Sequence, residues 1–205
     1  MSTTEAKVKE RPILFSGPMV RAILEGRKTQ TRRVVKPKHE FFVDDGHDGT
    51  NRVYYPCYVT GEPEPQEILC PYGGVGKRLW VRETHCKYGG KWIFRADYPG
   101  NLTPISDGIG GPWKPSIHMP RLASRINLEI TGVRVERLND ISEADALAEG
   151  VTIPSHYKFA SNGRPNDRNE ARVTFEALWE SINGPGSWSL NPWVWVVEFK
   201  RISSL

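Results

Sequence analysis

The chain has 205 residues, 38% of them apolar and 25% charged, with a mean hydropathy of −0.50, which suits one soluble globular domain or two small ones. No apolar run approaches the ~18 residues of a membrane span, and the opening MSTTEAKVKERP is polar where a signal peptide is apolar, so neither an integral membrane nor a secreted protein is expected. Three cysteines (Cys57, Cys70, Cys86) without C-x-x-C spacing argue against a disulfide framework and point to a reducing cytoplasm. Charge is unevenly placed: residues 1 to 40 hold ten Lys/Arg against four Asp/Glu, a net +6 in a chain of net +4, so the other 165 residues are net −2. A local basic excess is the footprint of a nucleic-acid or nucleotide site.

Residues 1–10 read as a disordered leader, and 11–205 as a single domain. Ile13-Leu14-Phe15 predicts a short buried strand. Ser16 and Pro18 open a helix whose residues 19, 20, 23 and 24 share an apolar face, and Gly26 stops it. Residues 28–38 (KTQTRRVVKPK) form a basic loop and a strand ended by Pro37. The stretch 39–76 is rich in Gly, Pro and acid and is expected to be an irregular insertion with at most a hairpin around Val53 to Val59. Strands follow at 78–83 and 92–97.

Between Ile126 and Leu138 the apolar parity changes: Ile126, Leu128 and Ile130 are even, Val133 and Val135 odd, and Gly132 stands at the switch. A one-residue slip at glycine is the mark of a β-bulge, which predicts a curved, closed sheet. Ser142-Glu143-Ala144-Asp145 opens a helix running to Glu149 and stopping at Gly150. After a second insertion at 151–168, Ala171, Phe175, Leu178, Trp179 and Ile182 predict a helix ended by Gly184. Trp193 to Lys200, apolar on both faces in its first half, predicts a central closing strand. The expected fold class is α+β, a mixed and bulged β-barrel with short flanking helices.

Gly26-Arg27-Lys28-Thr29-Gln30-Thr31-Arg32-Arg33 is the chief constellation. A lysine desolvated beside a second cation loses its proton readily and can act as base toward a threonine hydroxyl. Lys114, Arg121 and Arg125 form a second basic stretch able to contact phosphates, and Trp80 and Trp113 are candidate stacking partners for a base. Gly73 to Lys77 reads as a turn, because Arg78 stands where a phosphate loop needs Ser or Thr. His85 and Cys86 with Cys57 or Cys70 fit no common zinc spacing, so neither metal nor cofactor is expected.

The run G-x-K-x-x-T-x-R, met by Gly26, Lys28, Thr31 and Arg33, resembles the signature of the ASCH domain, a PUA-like barrel. Lys77 to Val81, Ile141 to Gly150 and Trp193 to Lys200 agree with further stretches of that family, and the whole chain looks like phage and prophage ASCH proteins. The resemblance implies a cytoplasmic protein of a bacterial host cell and a cleft for a nucleoside, nucleotide or single-stranded nucleic acid. Small bacterial members are N(4)-acetylcytidine amidohydrolases. Carried over, Thr31 is the nucleophile, Lys28 the base and Glu149 the carboxylate, with Gly26, Arg27, Arg32, Arg33, Trp80, Arg82, Lys114, Arg121 and Arg125 toward substrate or nucleic acid. A non-catalytic binding module and a metal-independent ribonuclease are the alternatives.

Overall fold

The computed structural model describes residues 10–36, 41–44, 50–58, 63–98, 111–153 and 170–203; the expected leader except Glu10, and most of the 151–168 insertion, lie outside them. In chain order the elements are β1 (Glu10–Leu14), α1 (Gly17–Leu24), β2 (Gln30–Val34), β3 (Phe42–Asp44), β4 (Arg52–Tyr58), β5 (Pro63–Glu67), β6 (Arg78–Arg82), β7 (His85–Tyr88), β8 (Lys91–Phe94), β9 (Asn127–Arg137), α2 (Glu143–Ala148), α3 (Glu170–Asn183) and β10 (Trp193–Ile202). Single 3-10 turns occupy Arg95–Asp97, Ser116–His118, Arg121–Ala123 and Leu138–Asp140. The architecture is α+β, strand-rich with short helices. Among the described residues no helix is long and apolar enough to cross a membrane.

Strand pairing gives a five-stranded sheet in the order β1-β6-β9-β10-β2, a three-stranded sheet β3-β4-β5 and a hairpin β7-β8. Among the described residues the larger sheet ends at β1 and β2 and does not close on itself. At the start of β2, the neighbour met is an isolated antiparallel bridge between Lys28 and Glu149, not another strand. The 39–76 stretch is more ordered than a single hairpin: β3, β4 and β5 pair antiparallel, with Val53 fully buried and opposite Val43. Among the described side chains Val53 anchors this sheet, where the Gly/Pro-rich flanks suggest none.

The chain divides into two compact units, Met1–Gly26 with Tyr72–Thr131 and Phe199–Leu205, and Arg27–Pro71 with Gly132–Glu198. In the first, β1 runs parallel to β6 with Ile13 opposite Val81, and β6 antiparallel to β9 with Leu79 opposite Leu128. These alternating residues are buried together with Ile126 and Ile130. Pro18 lies in the first turn of α1, where its missing amide costs nothing. Val20 and Ile23 of α1 are buried, and Arg21 Nη1 donates to Ala96 O at 3.0 Å.

In the second unit β2 pairs antiparallel with β10, Thr31 opposite Val197. Val194 and Val196 of β10 pack with Leu138, Ile141 and Ala146, with Ala171, Phe175 and Trp179 of α3, and with Trp188. Burial on β9 changes parity as expected, from Leu128 and Ile130 to Val135. A Cβ at Gly132 would stand 2.5 Å from Glu198 Oε2, so any side chain there would make the Glu198 carboxylate shift. On α3, Leu178 is half-buried and Ile182 is 54% exposed, although both were expected inside. The core of this unit ends at Trp179 and Trp188, so the last helical turn overhangs it.

Phe175→Ala is expected to lower the unfolding free energy by about 3–5 kcal/mol, because it removes a ring from the centre of this cluster. Ile182→Ala is expected to cost less than about 1 kcal/mol. Urea denaturation of both variants checks the ordering.

Candidate functional site

Ser142 caps α2 by accepting a hydrogen bond from Asp145 N at 3.1 Å. Glu149 closes the helix, and Gly150 turns the chain away at φ 87°, a conformation that a side chain rarely adopts. Thr29 N donates to Ala148 O at 2.9 Å, which holds the start of β2 against the end of α2. This brings Lys28 and Glu149, 121 residues apart, into contact at 2.7 Å between Nζ and Oε2.

Both side chains are buried, Lys28 at 2% and Glu149 at 4% exposure. The ammonium also donates to Glu149 O and Gln30 O, each at 2.8 Å, so its three N–H groups all have acceptors. Glu149 Oε1 accepts from Arg32 Nη1 at 3.2 Å. Two cations thus surround a carboxylate at a helix C-terminus, offsetting the unfavourable helix dipole there. Burial pushes the Lys28 pKa down; Glu149 works against this shift, and the charges of Arg33 and Arg32 work with it.

Arg32 joins a wider network. Its Nε donates to Glu136 Oε1 at 2.9 Å, its Nη2 lies 3.3 Å from Asp145 Oδ2, and its guanidinium lies 6.0 Å from the Phe175 ring centre. Gln30 Nε2 donates to Asp145 O at 2.9 Å and Oδ1 at 3.0 Å, while Arg134 donates to Glu136, Asp145 and Glu198. Asp145 is partly desolvated, which pushes its carboxyl up; the donor Gln30 and the cations Arg32 and Arg134 outweigh that, so its pKa lies below the ordinary carboxylate value.

The expected pairing of Lys28 with Glu149 is therefore present, and Arg32 completes it. Thr31 is buried at 3% exposure; strand alternation turns it to the face of β2 opposite Gln30 and Arg32. Arg33, half-buried, shares that opposite face. Gly26 ends α1 at φ 76° and belongs to the other unit. Arg27 is exposed and donates to Gly150 O at 2.9 Å. Arg32 is expected to bind phosphate, but it is 3% exposed and committed to three carboxylates.

The remaining expected residues belong to the first unit. Trp80 is 7% exposed and packed between the guanidinium carbons of Arg82, 4.7 Å from its ring centre, and Arg121, at 5.8 Å, so its faces are not presented to a base. Arg125 is bidentate to Glu83 at 2.9 Å and also pairs with Asp97, its guanidinium 4.1 Å from the Phe94 ring centre. Lys114 is exposed and exchanges backbone hydrogen bonds with His85. In the same stretch Met119 is buried and Ile117 exposed.

Sequence reasoning missed Gln30, Glu136, Arg134 and Glu198, and read Asp145 only as a helix-start residue. One signal was present: after Gly132, Arg134 and Glu136 occupy alternate positions of a strand whose other face is apolar. Comparison with known protein families, curated proteins and solved structures finds no match.

Lys28→Met is expected to destabilise the fold by about 3–5 kcal/mol, since it leaves Glu149 buried without its closest cation. Adding Glu149→Leu is expected to recover part of that loss, and chemical denaturation of the single and double variants measures the difference. Acid dependence supplies a second check. The Asp145 pKa is lowered by folding, so its stabilising contribution is complete above about pH 4 and is lost as pH falls through the lowered value. Asp145→Asn is expected to flatten that acid limb in denaturation curves taken between about pH 5 and 2.

Proposed function

We propose that the protein is an ASCH-type, PUA-like protein that removes an acyl group from a modified nucleobase, N(4)-acetylcytidine being the model substrate. The observation that carries this reading is the buried contact of Lys28 with Glu149 three residues before Thr31 in the G-x-K-x-x-T-x-R run. The downward shift of the Lys28 pKa adds support, because a base must be available as the amine. The PUA-like reading rests on the motif and on the parity change at Gly132, although the five-stranded sheet of the described residues is open. Its substrate is a nucleoside, a nucleotide or a single-stranded nucleic acid.

In this mechanism substrate entry turns Thr31 from the opposite face of β2 so that its hydroxyl replaces Gln30 O at Lys28, whose ammonium has first given a proton to water. Thr31 Oγ attacks the acyl carbonyl carbon as the Lys28 amine takes its proton. Arg33 or a backbone amide holds the oxyanion. Collapse breaks the C–N bond, and the exocyclic amine leaves with the proton returned by Lys28. Glu149 then takes a proton from water, which attacks the threonine ester; acetate departs and Thr31 regains its hydroxyl.

Purified protein is expected to convert N(4)-acetylcytidine to cytidine and acetate, followed by chromatography. Thr31→Ala is expected to abolish turnover, and Lys28→Arg to lower it by about 10²–10⁴-fold. No turnover by the wild type, or turnover surviving Thr31→Ala, overturns the reading.

One observation favours a second reading, a non-catalytic reader of a modified base: Lys28 Nζ already has three acceptors and Arg32 three carboxylates. That reading expects acetylcytidine binding in equilibrium dialysis without release of acetate. Fragmentation of a labelled RNA without metal, lost in Lys28→Ala, is the outcome expected of a ribonuclease.

A further inference from the structure

The first unit holds a cavity of about 430 Å³ lined by Glu10, Arg78, Arg121, Leu122, Asn127 and Ile202, among others. That volume lies in the range of small-ligand sites. Its charge is unbalanced. Arg78 makes no ion pair among the described residues; of its two register partners, Glu10 on β1 is held by Arg121 at 2.7 Å and Glu129 on β9 by Lys200 at 2.9 Å. Arg121 is held in place from three sides: Nε donates to Glu10 Oε2 at 2.7 Å, Nη2 donates to Asn127 Oδ1 at 2.9 Å, and the Trp80 ring lies against its guanidinium.

Those contacts use Nε and Nη2 of Arg121, a lining residue of the cavity. One wall is apolar, formed by Ile202 and by Leu122, a leucine 91% exposed beside the arginines. Two guanidinium groups with a single carboxylate favour a tetrahedral, multiply charged oxyanion, since each fork reaches two oxygens.

We infer that this cavity binds the phosphate monoester of a small organic molecule, with Arg78 and Arg121 on the phosphate and Leu122 and Ile202 against the organic body. Glu10 occupies Arg121 as a competing carboxylate. The site uses none of Lys28, Thr31 or Glu149, so it stands apart from the hydrolase reading.

Isothermal titration of the full chain with a nucleoside 5′-monophosphate, ribose 5-phosphate and the parent nucleoside tests the site. At least one monoester is expected to bind about tenfold or more tightly than the nucleoside, and Arg78→Ala to weaken it about tenfold, the worth of one charge-assisted contact. Glu10→Gln is expected to tighten binding. Circular dichroism of each variant confirms folding. Equal binding of nucleoside and monoester, or monoester affinity indifferent to Arg78→Ala and Glu10→Gln, overturns the inference.

Discussion

The contact between the Lys28 ammonium and the Glu149 carboxylate governs how β2 and α2 are placed within their unit. Removing both ions from water carries a desolvation cost of several kcal/mol each, and Coulomb attraction alone does not reliably recover it. What makes the burial tolerable is saturation. Lys28 gives its three N–H groups to Glu149 Oε2, Glu149 O and Gln30 O, and Glu149 takes its second cation from Arg32. A half-satisfied version would be worse than an apolar one, so the local geometry has little freedom. The end of α2, the start of β2 and the turn at Gly150 must all hold together for these acceptors to meet one nitrogen.

The surplus of positive charge in the first forty residues takes on a different meaning in this light. Lys28 and Arg32 are not surface charges: both are buried, and carboxylates from 136, 145 and 149 answer them. Arg21 and Arg27 are directed to backbone carbonyls of Ala96 and Gly150. Two of the ten cations in this stretch are thus answered by acids more than a hundred positions away in sequence. A window count treats charges as if each faced water, and strand pairing undoes that assumption.

Features set by local chemistry were legible. Pro18 and Gly26 bound α1, Ser142 and Gly150 bound α2, and Gly184 follows α3, because capping and positive φ are decided within a few residues. The closing strand was also readable, since Val194 to Val197 are apolar on both faces and all are buried. The sheet at β3 to β5 was legible as at most a hairpin, because its strands lie inside a stretch dominated by turn formers. The ion network was not legible: Arg32 with Glu136, and Gln30 with Asp145, are pairings of 104 and 115 residues' separation. Periodicity carries no information about which distant carboxylate a buried arginine will meet.

The candidate chemistry depends on a tension within the same network. A buried ion pair serving only stability can be exchanged for apolar side chains of similar volume at little or no loss. A lysine that works as a base needs the opposite of saturation, since it must surrender a proton and take one back. Arg32 reconciles the two requirements. By holding Glu149 Oε1 while Lys28 holds Oε2, it keeps the carboxylate anchored when the lysine turns to another partner. Arg33 and Arg32 add like charge beside a desolvated ammonium, so the amine form becomes easier to reach. Arg32 thus both steadies the Glu149 carboxylate and helps to lower the Lys28 pKa.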